Sequence, residues 1–143
     1  MNMRMRDLNL RIFTDGGSRG NPGPAGAGAV IKDADTGENL KELHKYLGET
    51  TNNQAEYAAV ILALGEAMDL NASSIMVVAD SELLVKQLTG AYRVKNAELA
   101  KRFLEIRNLE SRLGIPVRYR HVKREFNKEA DALANLAMDQ GRE

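Results

Sequence analysis

Apolar and polar residues alternate in two ways along this chain, and the order of the two patterns predicts its layout. Short runs rich in apolar residues predict three consecutive strands, over residues 8–14, 27–32 and 40–47. Glycine, proline and asparagine between these runs predict tight turns, and Asp15-Gly16-Gly17 predicts the end of the first strand. Strands joined by short turns pair side by side, so we expect an antiparallel meander.

The rest of the chain alternates between helical and strand patterns. Continuous apolar runs predict two further strands, over residues 74–79 and 116–122. Apolar residues at helical spacing predict four helices, over residues 52–69, 81–88, 96–112 and from about Asn127 onward. Strands that follow helical crossovers pair in parallel. The order therefore predicts an α/β fold, with one mixed five-stranded sheet of three antiparallel and then two parallel strands, flanked by helices.

Composition bounds the class of protein. The 143 residues suffice for one domain with a substantial core, so residues 1–143 are expected to form a single domain. The chain has no cysteine, which excludes thiolate zinc sites and cysteine nucleophiles and suits a reducing compartment such as the cytoplasm. No apolar run is long enough to span a membrane. Basic and acidic residues both total 20, so any binding of nucleic acid must come from local patches and metal ions.

Four acidic residues stand where predicted elements begin or end. Asp15 and Asp80 follow strands, Glu56 lies near the start of the first long helix, and Asp131 lies in the first turns of the last helix. Ligand sites in open α/β sheets gather at the carboxyl ends of strands, so these side chains are expected to meet there. Carboxylates are the ligands that Mg²⁺ prefers, and four of them can hold two ions. Such a site needs no protein nucleophile.

Each acid also has a purely structural explanation. Asp80 or Ser81 alone fits a helix cap, and Glu56 alone fits an acid that complements a helix dipole. Asp15 alone fits an Asp-Gly turn, and Asp131 alone fits a solvated helix surface. Only the joint placement of the four residues favours a metal site.

Short motifs then occur in a fixed order along the chain. They are Phe13-Thr14-Asp15-Gly16-Gly17-Ser18, Gly20-Asn21-Pro22-Gly23-Pro24, Thr50-Thr51-Asn52-Asn53-Gln54-Ala55-Glu56, Ala79-Asp80-Ser81 and Asn127-Lys128-Glu129-Ala130-Asp131. Together they resemble the type 1 ribonuclease H family, from about Leu10 to Ala137. One such motif is weak, but several in order with compatible spacing make chance resemblance improbable.

The resemblance implies an endonuclease with a ribonuclease H-like fold that hydrolyses the RNA strand of an RNA–DNA hybrid. It implies that the products carry 5′-phosphate and 3′-hydroxyl ends. It also implies two bound ions of Mg²⁺ or Mn²⁺ per active site. The family's catalytic and metal-binding acids correspond to Asp15, Glu56, Asp80 and Asp131.

The resemblance also implies which residues contact the substrate. Asn21, Asn53 and Gln54 would lie in the minor groove near the 2′-hydroxyls that distinguish RNA from DNA. Thr51 and Asn96 match positions that hold a phosphate of the DNA strand. Turn and capping chemistry is the alternative explanation for these residues, above all for Asn96 as a helix cap.

The connection between the second and third helices departs from the family pattern. Many members carry a basic, tryptophan-containing protrusion there, whereas this chain has only residues 89–95, as in a short subgroup without the protrusion. Weaker hybrid affinity is therefore expected. Arg93 and Lys95 are the remaining basic pair, either as phosphate contacts or as a solvated loop. Glu49 stands where many members have a basic residue beside the phosphate pocket.

The loop before the last acid also departs from the pattern. Many members have a histidine there that assists catalysis, but residues 123–126 contain none. Arg124 is expected to draw on phosphate oxygens instead, although a guanidinium cannot shuttle protons at neutral pH. His121 lies too early, at the end of a strand, and like His44 is expected to be structural.

Two other functions share these features. A non-catalytic nucleic-acid-binding domain on the same fold would be indicated by the loss of one acid, and none is lost. Another nuclease or a strand-transfer enzyme would use the same carboxylates but would need further DNA-binding domains. We therefore expect an RNA–DNA hybrid as the partner, no membrane association and a monomer.

Overall fold

The structure is a computed structural model that describes residues 8–141 of the chain. Within that range it contains five strands and four α-helices in the predicted order, which confirms the predicted α/β fold. The strands are β1 (Asn9–Ser18), β2 (Gly23–Asp33), β3 (Asn39–Thr50), β4 (Ser74–Ala79) and β5 (Val117–His121). The helices are α1 (Asn52–Ala67), α2 (Glu82–Leu88), α3 (Ala97–Leu113) and α4 (Lys128–Gln140), and a 3₁₀ turn spans Arg124–Phe126.

The strands form one mixed sheet in the order β3-β2-β1-β4-β5. β1 pairs antiparallel with β2, and β2 pairs antiparallel with β3, which confirms the meander. β4 pairs in parallel with β1 on one side and with β5 on the other. Parallel neighbours need crossover connections, and α1 supplies one while α2 and α3 supply the other.

The helices lie on both faces of the sheet. The main core forms where α1 and α3 cover one face, with Ile12 and Val77 from the sheet, Leu64 from α1 and Ile106 from α3 almost fully buried. The helix α4 packs on the opposite face against β1, β2 and β3. None of the helices within residues 8–141 is both long and apolar enough to cross a bilayer.

The predicted end of β1 is wrong. The strand continues through Asp15-Gly16-Gly17 to Ser18, because these residues pair with β2, Asp15 opposite Gly28. The parallel ladder between β1 and β4 nevertheless ends at the pair Thr14 and Ala79. Asp15 is therefore the first residue beyond the parallel ladder on β1, and Asp80 is the first residue after β4.

The helix α1 buries more of its surface than one stripe. The helical spacing of apolar residues in this segment predicts that Leu62 faces the core. Leu62 is only half-buried, whereas Tyr57, Val60 and Leu64 are fully buried. The reason is that α1 lies between the sheet and α3 and contacts both. A helix enclosed on two sides loses the simple amphipathic pattern.

Local sequence signals at the helix ends are mostly confirmed. Thr51 is the N-cap of α1 and accepts a hydrogen bond from the Gln54 amide at 3.2 Å. Gly114 ends α3 in the left-handed conformation at a φ of 64°. For α2, Ser81 rather than Asp80 is the N-cap, because its Oγ accepts the Leu84 amide at 3.2 Å. Helix capping therefore does not explain Asp80.

Candidate active site

Two glycines allow helices to approach the sheet closely enough to bring acids together. A Cβ atom on Gly16 would lie 2.2 Å from the carbonyl oxygen of Ala55, in the first turn of α1. A Cβ atom on Gly28 would lie 2.5 Å from the carbonyl oxygen of Ala130, in the first turn of α4. Only glycine fits such contacts. They hold the residues that follow, Glu56 and Asp131, against the end of β1.

Asp15 lies at the centre of the acidic cluster. Its side chain is buried, at 9% exposure. Burial first, then the negative charge of Asp80 and a hydrogen bond with Asp131, raise the pKa of Asp15 to about 8. Each cause disfavours the charged carboxylate. Asp15 from β1, Asp80 after β4 and Asp131 from α4 therefore lie close together.

Glu56 completes the cluster from the side of α1. Burial raises the pKa of Glu56 to about 7, and the charge of Asp80 acts in the same direction. A hydrogen bond with Ser81 and the positive charge of Arg124 oppose this rise. The structure thus brings together all four of the predicted acids, each from a different element.

The cluster fits the chemistry of divalent cations. The Oδ2 atom of Asp80 is buried and accepts no hydrogen bond within residues 8–141, so it keeps its capacity to bind a ligand outside the chain. Several buried carboxylates also repel one another, and a cation relieves that repulsion. Within residues 8–141, no three acidic, histidine or cysteine side chains are already arranged to enclose an ion. Binding would therefore require these side chains to turn toward it.

Arg124 lies over the cluster. Its Nε atom is 3.8 Å from Oδ2 of Asp80, and its side chain is 82% exposed. The 3₁₀ turn that carries it begins two residues after β5 ends and was expected only as a loop. The placement is compatible with the predicted contact to phosphate oxygens, which stays a prediction.

Asn127 is a positioning residue that the sequence did not reveal. It is 1% exposed, and its side-chain amide donates a hydrogen bond to the carbonyl oxygen of Thr14 at 2.9 Å. This bond ties the start of α4 to the end of β1, and hence Asp131 to Asp15. The sequence marked Asn127 as the start of a helix and as part of a family motif, without a role for its side chain, and that side chain makes no capping hydrogen bond.

A cavity of about 460 Å³ lies beside the start of α1. It gathers five of the predicted substrate residues, namely Asn21, Thr51, Asn53, Gln54 and Asn96. We call it the amide cavity. Predicted capping also occurs here, because Asn96 accepts the amides of Glu98 and Leu99 at 2.9 and 3.0 Å.

Arg102 is a further residue of the amide cavity that the sequence did not single out. Its Nε atom donates to Oε1 of Gln54 at 2.6 Å. The bond leaves the amide NH₂ of Gln54 available for another acceptor. Nothing in the sequence distinguishes Arg102 from the other basic residues of α3.

Other predicted positions lie outside both features. Arg93 and Lys95 are exposed in the connection between α2 and α3 and do not line the amide cavity. That connection spans residues 89–96, without an additional helix. His44 and His121 are exposed on β3 and at the end of β5. Their structural role stays a prediction.

Comparison with known proteins assigns this arrangement to a class. Residues 13–137 match the reverse transcriptase-like family. The chain is 42% identical to ribonuclease HI of Halobacterium salinarum, over 94% of this chain and 66% of that protein. It is 34% identical to ribonuclease H of Anaplasma marginale, over 91% of this chain and 90% of that protein. The chain therefore belongs to the ribonuclease H family, a family of enzymes, and within it to type 1.

A longer relative and a solved structure are also similar. A bifunctional protein of Mycobacterium tuberculosis is 44% identical over 92% of this chain, and the chain spans only 36% of its length. The crystal structure of LC11-RNase H1 in complex with an RNA/DNA hybrid superposes with a TM-score of 0.89. That protein is 41% identical, and the match covers 94% of this chain and 99% of the other.

Proposed function

We propose that this chain hydrolyses the RNA strand of RNA–DNA hybrids. The observation that carries the proposal is the cluster of Asp15, Glu56, Asp80 and Asp131, in which the buried Oδ2 of Asp80 accepts no hydrogen bond from residues 8–141. Crowding buried acids has no structural benefit, which favours a catalytic role. Membership of the ribonuclease H family and the hybrid complex of LC11-RNase H1 support the substrate class.

The four acids are the residues that would hold two ions of Mg²⁺ or Mn²⁺. Such ions, when bound, activate the attacking water and stabilise the leaving oxygen of an in-line displacement, with 5′-phosphate and 3′-hydroxyl products. The carboxylates of Asp15 and Glu56 must lose their protons to act as ligands. Arg124, beside Asp80, would hold a phosphate oxygen of the scissile group.

The amide cavity is proposed to select the hybrid. The exposed Asn53 and the amide NH₂ of Gln54 would read 2′-hydroxyls, together with Asn21. Thr51 and Asn96 would bind a phosphate of the DNA strand with the bonding capacity left after capping. The guanidinium of Arg102 supplies positive charge to the same cavity. This charge would compensate for Glu49, an acid that stands where many family members have a basic residue beside the phosphate pocket.

The test uses labelled duplexes of one sequence: RNA–DNA, RNA–RNA, DNA–DNA and DNA with one embedded ribonucleotide. Each is incubated with Mg²⁺, with Mn²⁺ and with chelator. Metal-dependent cleavage of the RNA strand, strongest on the hybrid, is the expected result. A folded protein that cuts none of them with either metal would be a non-catalytic nucleic-acid-binding domain instead.

Three properties stay predictions from the sequence alone. They are a cytoplasmic location, a monomeric state and a single domain over residues 1–143. Sedimentation of the purified chain would test the second of these.

A further inference from the structure

One face of β4 and β5 is covered by helices much less than the same face of β1, β2 and β3. Along β4, Ile75, Val77 and Ala79 point into the main core, so Met76 and Val78 point the other way. On that second face α4 packs against β1, β2 and β3 and makes no comparable contact with β4 or β5 within residues 8–141. The outer surface is therefore exposed at Arg118 and Arg120 on β5 and partly exposed at Met76 on β4, whereas Val78 is buried, at 2% exposure.

This outer surface is lined by arginines. The register places Arg118 beside Met76, and Met76 beside Arg11. Arg120 lies beside Val78, one side-chain row nearer the end of the strand. All three arginines are exposed, and they line one cavity of about 400 Å³. We call Arg11, Arg118 and Arg120 the arginine face.

The arginine face carries a local excess of positive charge. None of its three guanidiniums forms an ion pair with an acid of residues 8–141, although arginines elsewhere, such as Arg107 with Glu110, do. The whole chain has a formal net charge of +0, so the positive charge of the arginine face is confined to this part of the surface. Surfaces of this kind attract polyanions.

The arginine face continues directly into the acidic cluster. Asp80 follows Val78 by two residues, so the rows of Arg120 and Arg118 lie about 7 and 13 Å back from it along the strands. Arg124 lies 3.8 Å from Asp80, and the ring of Phe126, which is 65% exposed, lines a cavity together with Arg11. Cations and an exposed ring therefore lie both beside the acids and beside the arginine face.

We propose that the arginine face binds phosphates of a nucleic-acid strand that continues beyond the cleavage position. Guanidinium groups bind phosphate oxygens in bidentate fashion, and such contacts carry no sequence preference. Continuity with the acids favours the substrate strand over an acidic protein as the occupant. The proposal rests on the proposed function for the identity of that strand. It places the second contact region on β4 and β5, away from the amide cavity.

The experiment measures hybrid binding in an Asp80→Asn background, which is expected to prevent cleavage. Two hybrids are compared: a short one that covers only the acids and the amide cavity, and one extended on both sides. The test variant is Arg118→Gln with Arg120→Gln. The matched control is Lys101→Gln with Arg112→Gln, which removes two exposed charges from α3. Circular dichroism checks that each variant folds.

The dependence of affinity on salt gives the decisive readout. The slope of log K against log salt is negative, and each lost phosphate contact reduces its magnitude by roughly 0.9. For the extended hybrid, the test variant should therefore reduce the magnitude of the slope by about 2. The short hybrid and the control variant should show no change. Arg118→Lys with Arg120→Lys should restore most of the slope, because the charge remains.

Several results would overturn the proposal. One is an unchanged slope on the extended hybrid, and another is an equal loss on both hybrids. A third is an acidic peptide of matched charge that binds the face as tightly as the hybrid. The proposed function is judged separately, by cleavage with Asp80 intact. If hybrids are cut but the slope is unchanged, only the arginine face is wrong; if the slope falls but nothing is cut, only the hydrolysis is wrong.

Discussion

The acidic cluster and the amide cavity both include residues from the start of α1, yet the side chains of the two features have different hydrogen-bond partners. In the amide cavity, Thr51 and Asn96 cap helices, and Gln54 is held by Arg102. In the acidic cluster, Asp80 caps no helix and its Oδ2 accepts no hydrogen bond from the described residues, while burial and neighbouring charge raise the pKa of Asp15. The residues of the amide cavity therefore also stabilise the fold, whereas the crowded acids of the acidic cluster destabilise it.

That contrast makes opposite predictions for substitution. Neutralising an acid removes repulsion, so activity should fall while stability holds or rises. Truncating a cap in the amide cavity should reduce binding and stability together.

Asp80→Asn is expected to abolish detectable cleavage. Metal ligation supplies several kcal/mol of transition-state stabilisation, so the loss should be roughly a thousandfold or more. The melting temperature of the metal-free protein should stay the same or rise. Single-turnover cleavage and thermal melting measure the two effects, with the exposed Asp69→Asn as the control. Full activity in Asp80→Asn would exclude the proposed two-ion site.

Stability without metal should depend on pH in an unusual direction. The folded pKa values of Asp15 and Glu56 are about 8 and 7, above their ordinary values of 3.8 and 4.5. The folded state therefore holds protons that the unfolded state has lost, and stability falls as pH rises from about 4 to 8.

The measurement is thermal melting in chelator across that pH range. A decrease of more than about 5 °C toward the alkaline end is expected, because one pKa unit corresponds to about 1.4 kcal/mol and both acids act in the same direction. Excess Mg²⁺ should remove most of the decrease, because it replaces the protons. Asp15→Asn should flatten the curve, and an unaltered slope in that variant would assign the pH dependence to other groups.

Arg124→Ala is expected to slow cleavage by about tenfold with a much smaller effect on hybrid binding. The reason is that one charge-assisted hydrogen bond contributes on the order of 1.5 kcal/mol, here to the scissile phosphate. Steady-state kcat and KM separate the two effects. Lys123→Ala, the preceding exposed residue, is the matched control. An unchanged kcat would make Arg124 a solvated side chain.

The smallest effects distinguish two residues of the amide cavity. Asn96→Ala should raise KM and also destabilise the fold by about 1 kcal/mol, because the cap of α3 is lost. Asn53→Ala should raise KM alone, since its exposed side chain makes no hydrogen bond within residues 8–141. Urea unfolding and hybrid titration measure the two quantities. Equal destabilisation by both substitutions would contradict the assignment of a structural role to Asn96 and not to Asn53.

The bounds of helices and strands were predicted more accurately than the contacts between them. The bounds of β4 were predicted to the residue, and α3 was predicted within one residue at each end, since each is a clear local pattern with marked ends. The end of β1 was wrong because an Asp-Gly turn signal was overridden by pairing with β2. Leu62 was assigned to the core because its pattern does not reveal that α3 encloses α1.

The sequence by itself determined the order of the elements, most caps, the fold class and the identity of the four acids as candidates. These depend on residues a few positions apart, or on side-chain chemistry that the sequence shows directly. The tertiary structure alone decided that Ser81 rather than Asp80 caps α2, that Asn127 ties α4 to β1, and that Arg102 holds Gln54. It also formed the arginine face from strands over a hundred residues apart in the chain. Such contacts depend on register and on helix placement, which no local pattern encodes.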